Sequence, residues 1–301
     1  MSKAEESTTT APEESPPKKK ASGNLGLRVL TAAIGIPIVL WMLFGLDPLY
    51  FSLFGLVAAV VGGSEMAGMT LSGQRPLQAW MVIATVGVNC VMTFFPTADA
   101  LLGMIFALFV GGPLMMLVRP DPIDKAARAM GWLIAGPLYV GGALSAIAKL
   151  HHLDDNGGLW VVLAMGLAWF SDTGGYFAGR AFGKHKLYEK ISPKKTIEGS
   201  IGGLATIVVF ALVVSFLWLP GLSPLHAVLL ALVAGAAGQA GDLCISVIKR
   251  STGVKDSGFI MPGHGGLLDR IDALMFTASG TLVYTTWVLG LDATVPVFPG
   301  L

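Results

Sequence analysis

Apolar runs close to the roughly 20 residues a helix needs to cross a bilayer recur along this chain, and they leave little room for any other kind of core. They fall near Val29–Leu46, Leu49–Thr70, Leu77–Phe95, Ala100–Val118, Ala129–Leu150, Leu159–Phe182, Ser200–Leu219, Leu225–Ile248 and Ile271–Leu291. The pattern predicts an all-α, polytopic integral membrane protein of about nine transmembrane helices. Composition agrees: only 13% of the residues are charged, against about 25% in a soluble domain. In the fifth run Gly131, Gly136, Pro137, Gly141 and Gly142 predict a kinked or closely packed helix.

Loop charge gives an independent reading, because cytoplasmic loops are enriched in Lys and Arg. With the N-terminus in the cytoplasm and the C-terminus outside, all of the 20 Lys and Arg except Lys149 fall on the cytoplasmic side. Asp47, Asp99, Asp154, Asp155 and Asp292 fall on the other. The polar stretch 1–24 reads as a disordered cytoplasmic tail. Its long acidic-then-basic composition does not fit a secretory signal. Residues 25–150 read as N-terminal transmembrane helices, and 151–301 as a C-terminal transmembrane catalytic region with cytoplasmic loops 180–199 and 249–270. Cys90 and Cys244 both lie in apolar runs, so no disulfide framework or cysteine metal site is expected.

Polar chemistry is concentrated in the two loops, which this topology puts on one face. From Ser246 to Asp272 the chain carries Lys249, Arg250, Lys255, Arg270, Asp256, Asp269 and Asp272 around the turn Pro262-Gly263-His264-Gly265-Gly266. Cations neutralise phosphate oxygens, glycines let backbone N–H groups approach them, and carboxylates hold a divalent cation. The first loop adds six cations, among them Arg180, Lys194 and Lys195. Asp172, Tyr176 and Arg180 recur at helical spacing and share a face if the helix is continuous; Gly174 and Gly175 could instead break it and open a cavity. A carboxylate in hydrocarbon is costly, which marks Asp172 and Asp242 as functional candidates. A purely structural role would pair Asp172 with Arg180 or Asp242 with Arg250. Ser246, Lys249 and Arg250 continue the face of Asp242. Glu65 is a weaker case that could serve only a helix interface. His264, with no second His or Cys nearby, reads as a phosphate contact or loop-positioning residue rather than a zinc ligand. His151 and His152 read as part of an outer surface loop.

These residues carry a resemblance. Ser246-x-x-Lys249-Arg250, Lys255-Asp256-Ser257-Gly258, Pro262-Gly263-His264-Gly265-Gly266 and Asp269-Arg270-x-Asp272 resemble the signature of the phosphatidate cytidylyltransferases, or CDP-diacylglycerol synthases. Ser171-Asp172-Thr173-Gly174, Ser192-Pro193-Lys194-Lys195-Thr196 and Gly241-Asp242-Leu243 reinforce it upstream. The likeness is specific over about Trp169–Asp272. Ile197 stands where the family usually has a tryptophan, and Met261 where Leu, Ile or Phe is usual.

The resemblance implies transfer of the CMP moiety of CTP to phosphatidate, giving CDP-diacylglycerol and pyrophosphate. It implies Mg²⁺ on Asp242 and Asp269, with a second, monovalent cation left open. Lys194, Lys195, Lys249, Arg250, Lys255 and Arg270 would clamp the triphosphate and the lipid headgroup. The expected partners are CTP, phosphatidate and the bilayer, with no nucleic acid; a homodimer stays open. The expected location is the cell membrane, multi-pass, with the active site facing the cytoplasm. Another Mg-dependent lipid phosphotransferase shares these needs and differs in the signature. An ion-coupled transporter would show two similar halves and midplane carboxylates, and this chain shows no internal repeat.

Overall fold

The computed structural model describes residues 23–118, 122–154, 156–260 and 265–293. Residues 1–22, Asp155 and His264 lie outside this set. The described residues form nine α-helices and one β-hairpin: α1 (Gly23–Gly45), α2 (Pro48–Thr70), α3 (Arg75–Phe94), α4 (Ala98–Val118), α5 (Ile123–His151), α6 (Gly157–Phe182), β1 (Lys186–Tyr188), β2 (Ser192–Thr196), α7 (Ile197–Leu217), α8 (Pro224–Ser251) and α9 (Leu268–Trp287). The protein is an all-α polytopic membrane protein. Six of these helices, α2 to α5 with α7 and α8, are long and apolar enough to cross a membrane. Large apolar side chains such as Trp41, Phe106, Phe109 and Leu117 point outward, as a lipid-facing surface requires.

The helices run past the apolar runs that announce them. Polar residues at a helix end keep helical backbone where they reach the interface, so Lys249 and Arg250 belong to the last turn of α8 and Asp269 and Arg270 to the first of α9. The loop expected at 180–199 starts inside α6 and ends inside α7, and most of it is the antiparallel hairpin, with Lys186 opposite Thr196 and Tyr188 opposite Ser192. Gly174 and Gly175 do not break α6, which is continuous over 26 residues.

Packing is set by small residues, the usual device where lipid removes the hydrophobic drive between helices. In α5 a Cβ on Gly141 would stand 2.5 Å from the Thr85 carbonyl oxygen and one on Gly136 2.9 Å from Met81 Cε, so these two glycines of the fifth run serve close packing on α3. One core joins α6, α7, α8 and α9 around Leu163, Leu167, Ile207, Leu230 and Ala278. The other joins α2, α3 and α5 around Met66, Met81 and Leu133, and extends to Ile245 of α8 and Leu268 and Met275 of α9. Helices α8 and α9 thus bridge the two cores. His151, expected at the surface, is buried: its Nε2 lies 2.8 Å from the Leu43 carbonyl oxygen and its ring stacks on Phe51.

Candidate active site

The C-terminal part of α6, the middle of α8, the hairpin and the start of α7 line a cavity of about 500 Å³. Local sequence explains how the hairpin is held there. Thr196 ends β2 and caps α7, accepting from Gly199 N at 3.1 Å. Glu198, in the first turn of α7, reaches back to accept from Lys184 N at 3.1 Å and pairs with His185 Nδ1 at 2.6 Å. Gly199 lets α7 approach α6: a Cβ there would meet the Gly175 carbonyl oxygen at 2.8 Å and Gly179 Cα at 3.2 Å. The strand therefore delivers Lys194 and Lys195 into the cavity, opposite Asp172 and Arg180 of α6 and Asp242 of α8.

Lys195 is the electrostatic centre of this cavity. Its Nζ donates to Asp242 Oδ2 and lies 3.9 Å from Asp172 Oδ1. The structural pairs expected from the sequence, Asp172 with Arg180 and Asp242 with Arg250, are not the ones formed. Tertiary packing brings a nearer cation from β2, while Arg180 Nη1 donates to Tyr176 Oη at 3.2 Å. That bond puts Tyr176 and Arg180 on the one face expected from their spacing. On the cavity floor Gln239 donates to Ser171 Oγ at 3.1 Å and to the Ser200 carbonyl at 3.0 Å, and accepts from Ser200 Oγ. This polar bridge ties α6, α7 and α8 together at the depth of Asp242.

The second group of expected site residues lies at the turn between α8 and α9. Lys249 Nζ donates to Asp269 Oδ1 at 2.7 Å, and both side chains are largely buried. Asp269 Oδ2 also accepts from Ser257 N at 2.7 Å and from Gly266 N at 3.0 Å. Gly265 has φ +84, a backbone that side chains rarely adopt, and a Cβ on it would meet Asp269 Oδ2 at 2.8 Å. Arg250, Lys255, Asp256 and Arg270 are exposed around this turn, and Ser246 lies one helical turn beyond Asp242 on α8. The structure thus gathers Asp172, Arg180, Lys194, Lys195 and Asp242 in the cavity, and Lys249, Gly265, Gly266 and Asp269 in the neighbouring turn.

Known proteins bear on this arrangement. A model of the cytidylyltransferase family matches residues 26–288. The chain belongs to that family. Among similar proteins, the phosphatidate cytidylyltransferase of Brucella suis is 33% identical over 279 residues, covering 91% of this chain and 97% of its own. That of Haemophilus influenzae is 34% identical over 273 residues, covering 82% and 93%. That of Bacillus subtilis is 37% identical over 185 residues, covering 60% and 68%. The match extends well upstream of Trp169, into helices that the signature does not reach.

Does this cytidylyltransferase have a place for a divalent cation? Among the described residues no three His, Cys, Asp or Glu form a group able to hold a metal alone. Mg²⁺ does not need one, since it is commonly held by one or two carboxylates with substrate phosphates and water. Asp272 packs against α8 beside Asp242, where a Cβ on Gly241 would meet the Asp272 carbonyl oxygen at 2.9 Å. Asp172 and Asp242 share the single cation Lys195, an excess of negative charge that suits a divalent cation, so the residues fit. Asp242 and Asp269 have different partners, Lys195 and Lys249. Sequence reasoning missed Gln239 and underweighted Asp272 and Glu65. The signal for Gln239 was a lone amide in an apolar run, one turn before Asp242 on the same helix.

Proposed function

We propose that this cytidylyltransferase transfers CMP from CTP to phosphatidate, releasing pyrophosphate and forming CDP-diacylglycerol at the cytoplasmic face of the cell membrane. The observation that carries the reading is the convergence of Arg180, Lys194, Lys195, Asp172 and Asp242, from three different elements, on one cavity of a size suited to a small ligand. An oxygen of the lipid phosphate attacks the α-phosphorus of CTP in line. The bond from that phosphorus to the bridging oxygen breaks, and pyrophosphate leaves with the electron pair. The attacking phosphate is already anionic, so no covalent protein nucleophile is needed, and positioning with charge neutralisation supplies most of the rate. Lys194 and Arg180 would neutralise phosphate oxygens, and Lys195 would hold Asp242 in place until substrate enters.

Asp242 would hold Mg²⁺ together with a carboxylate from α9. The family resemblance implies Asp269 for that second ligand; Asp272, one turn further along α9, is the alternative, its backbone packed on Gly241 next to Asp242. Bound there, the cation would neutralise the triphosphate and the leaving pyrophosphate. The shared end of the bundle supports one cytoplasmic site. Asp242 and Lys249 lie two turns apart on α8, so that helix joins the cavity around Lys195 to the turn held by Lys249 and by Glu65 of α2.

The test is pyrophosphate release by the purified protein in detergent with phosphatidate, CTP and Mg²⁺, beside Asp242→Asn, Asp269→Asn and Asp272→Asn. The expected result is release that needs all three components and collapses in Asp242→Asn. Whichever α9 variant raises the half-saturating Mg²⁺ concentration identifies the second ligand. A folded, lipid-supplied wild type that releases nothing overturns the substrate assignment.

A further inference from the structure

Glu65 belongs to α2, in the half of the chain that contributes nothing to the cavity. Its side chain is buried, at 6% exposure, and both carboxylate oxygens are engaged. Oε1 accepts from Leu267 N at 2.8 Å; Oε2 accepts from Leu268 N at 2.9 Å and from Ser257 Oγ at 2.8 Å. Each of these three donors belongs to the turn that leads into α9. Leu267 and Leu268 open α9, where backbone N–H groups have no partner inside the helix and a negative charge is favoured. The glycines of the turn fit the same contact. A Cβ on Gly258 would stand 2.7 Å from Glu65 Oε1, and one on Gly266 2.5 Å from Oε2.

Ser257 passes this contact on to the site. Its Oγ also lies 3.1 Å from Asp269 Oδ2, to which its backbone N donates at 2.7 Å, and Asp269 in turn holds Lys249. A continuous chain of hydrogen bonds therefore runs from the buried carboxylate of α2 to the charged pair of the α8–α9 turn.

We infer that Glu65 is the positioning residue of this turn. It fixes Ser257 and the first residues of α9, and so sets where Asp269 and Lys249 meet the substrate. The effect on turnover rests on the reaction proposed above; the effect on the turn does not. The N-terminal helices then complete the site rather than only anchoring it. Residues that hold a ligating carboxylate from behind typically cost about 10–100-fold in activity when changed.

The decisive variant is Glu65→Gln in the full-length protein. The amide fills the same space but sets an N–H group against a donor whichever way it is turned, because both oxygens are in use. Hydrogen–deuterium exchange over residues 257–268 is expected to rise at least about tenfold, with the rest of the chain unchanged. In the pyrophosphate assay kcat is expected to fall about 10–100-fold, while KM for CTP stays within about twofold, because other elements build the cavity around Lys195. Glu65→Asp keeps the charge but loses reach, and shares the loss. Unchanged exchange at Leu267 and Leu268, or an unchanged kcat, overturns the inference. Should the glutamine variant fail to fold, Ser257→Ala removes the hydroxyl that lies between Glu65 and Asp269 and leaves the backbone N–H bonds of Ser257, Leu267 and Leu268 in place: a lower kcat with Leu267 and Leu268 still protected supports the chain of contacts, and a wild-type kcat overturns it. If wild type itself lacks CTP-dependent release, the reaction assignment fails and the exchange measurement alone decides the role of Glu65.

Discussion

Replacing Lys195 with methionine separates what this residue does for stability from what it does for the reaction. Its Nζ lies 3.9 Å from Asp172 Oδ1 and donates to Asp242. At that distance and an effective dielectric of about 20, the gross attraction to Asp172 is about 4 kcal/mol. Most of it is offset, because the side chains of Lys195 and Asp172 are 31% and 61% exposed and such pairs net about 0–1 kcal/mol. The Asp242 contact is less exposed, so a total loss of about 1–2 kcal/mol is expected, a fall of a few degrees in Tm. In the reaction Lys195 has no substitute on β2 reaching the same two carboxylates. Removing a preorganised donor from developing charge costs about 10²–10³ in rate, or about 2.7–4 kcal/mol. The assay is initial-rate pyrophosphate release against CTP and phosphatidate, with Tm from the intrinsic fluorescence of the same preparation. A kcat/KM within about threefold of wild type would refute the reasoning. So would an activity loss that merely tracks the unfolded fraction.

Three further outcomes follow from the geometry. Gly199→Ala puts a Cβ 2.8 Å from the Gly175 carbonyl oxygen, which forces α7 away from α6; overpacking of this kind costs about 1–3 kcal/mol and should lower both Tm and the affinity for CTP. Lys249→Met leaves Asp269, whose side chain is only 6% exposed, without its cation, and should cost about 3–5 kcal/mol, visible as a larger fall in Tm than in Lys195→Met. With Cys90 and Cys244 replaced, a cysteine at Lys190 should react with a membrane-impermeant thiol reagent only from the cytoplasmic side, and one at Asp154 only from the other; labelling of both from one side would refute the proposed orientation.

Much of the fold is legible in one dimension. A bilayer demands helices of about 20 residues with backbone groups satisfied internally, so each apolar run between Val29 and Leu291 corresponds to a helix of the structure. Boundaries are less legible, because residues such as Lys249 and Asp269 are polar yet remain helical at the ends. The hairpin escaped notice for a related reason: its strands are three and five residues long, and Ser-Pro-Lys-Lys-Thr carries no alternation of apolar and polar positions to announce it.

For the site, sequence reasoning identified the residue types and gathered them into two loops, since a carboxylate or a cluster of cations in so apolar a chain stands out by its cost. What each of them touches was decided by tertiary structure. Asp242 meets a lysine 47 positions away rather than the arginine on its own helix, and Glu65 meets Ser257 across 192. The sequence by itself determined that this chain lives in a membrane, which helices it forms and the chemistry it can hold, because burial in lipid and helix length are properties of local composition. Only the tertiary structure decided that α2 braces the α8–α9 turn and that one strand's lysine governs the cavity. Such partners are chosen by how glycine-lined helices settle against one another, and that is a relation between distant segments which no local pattern records.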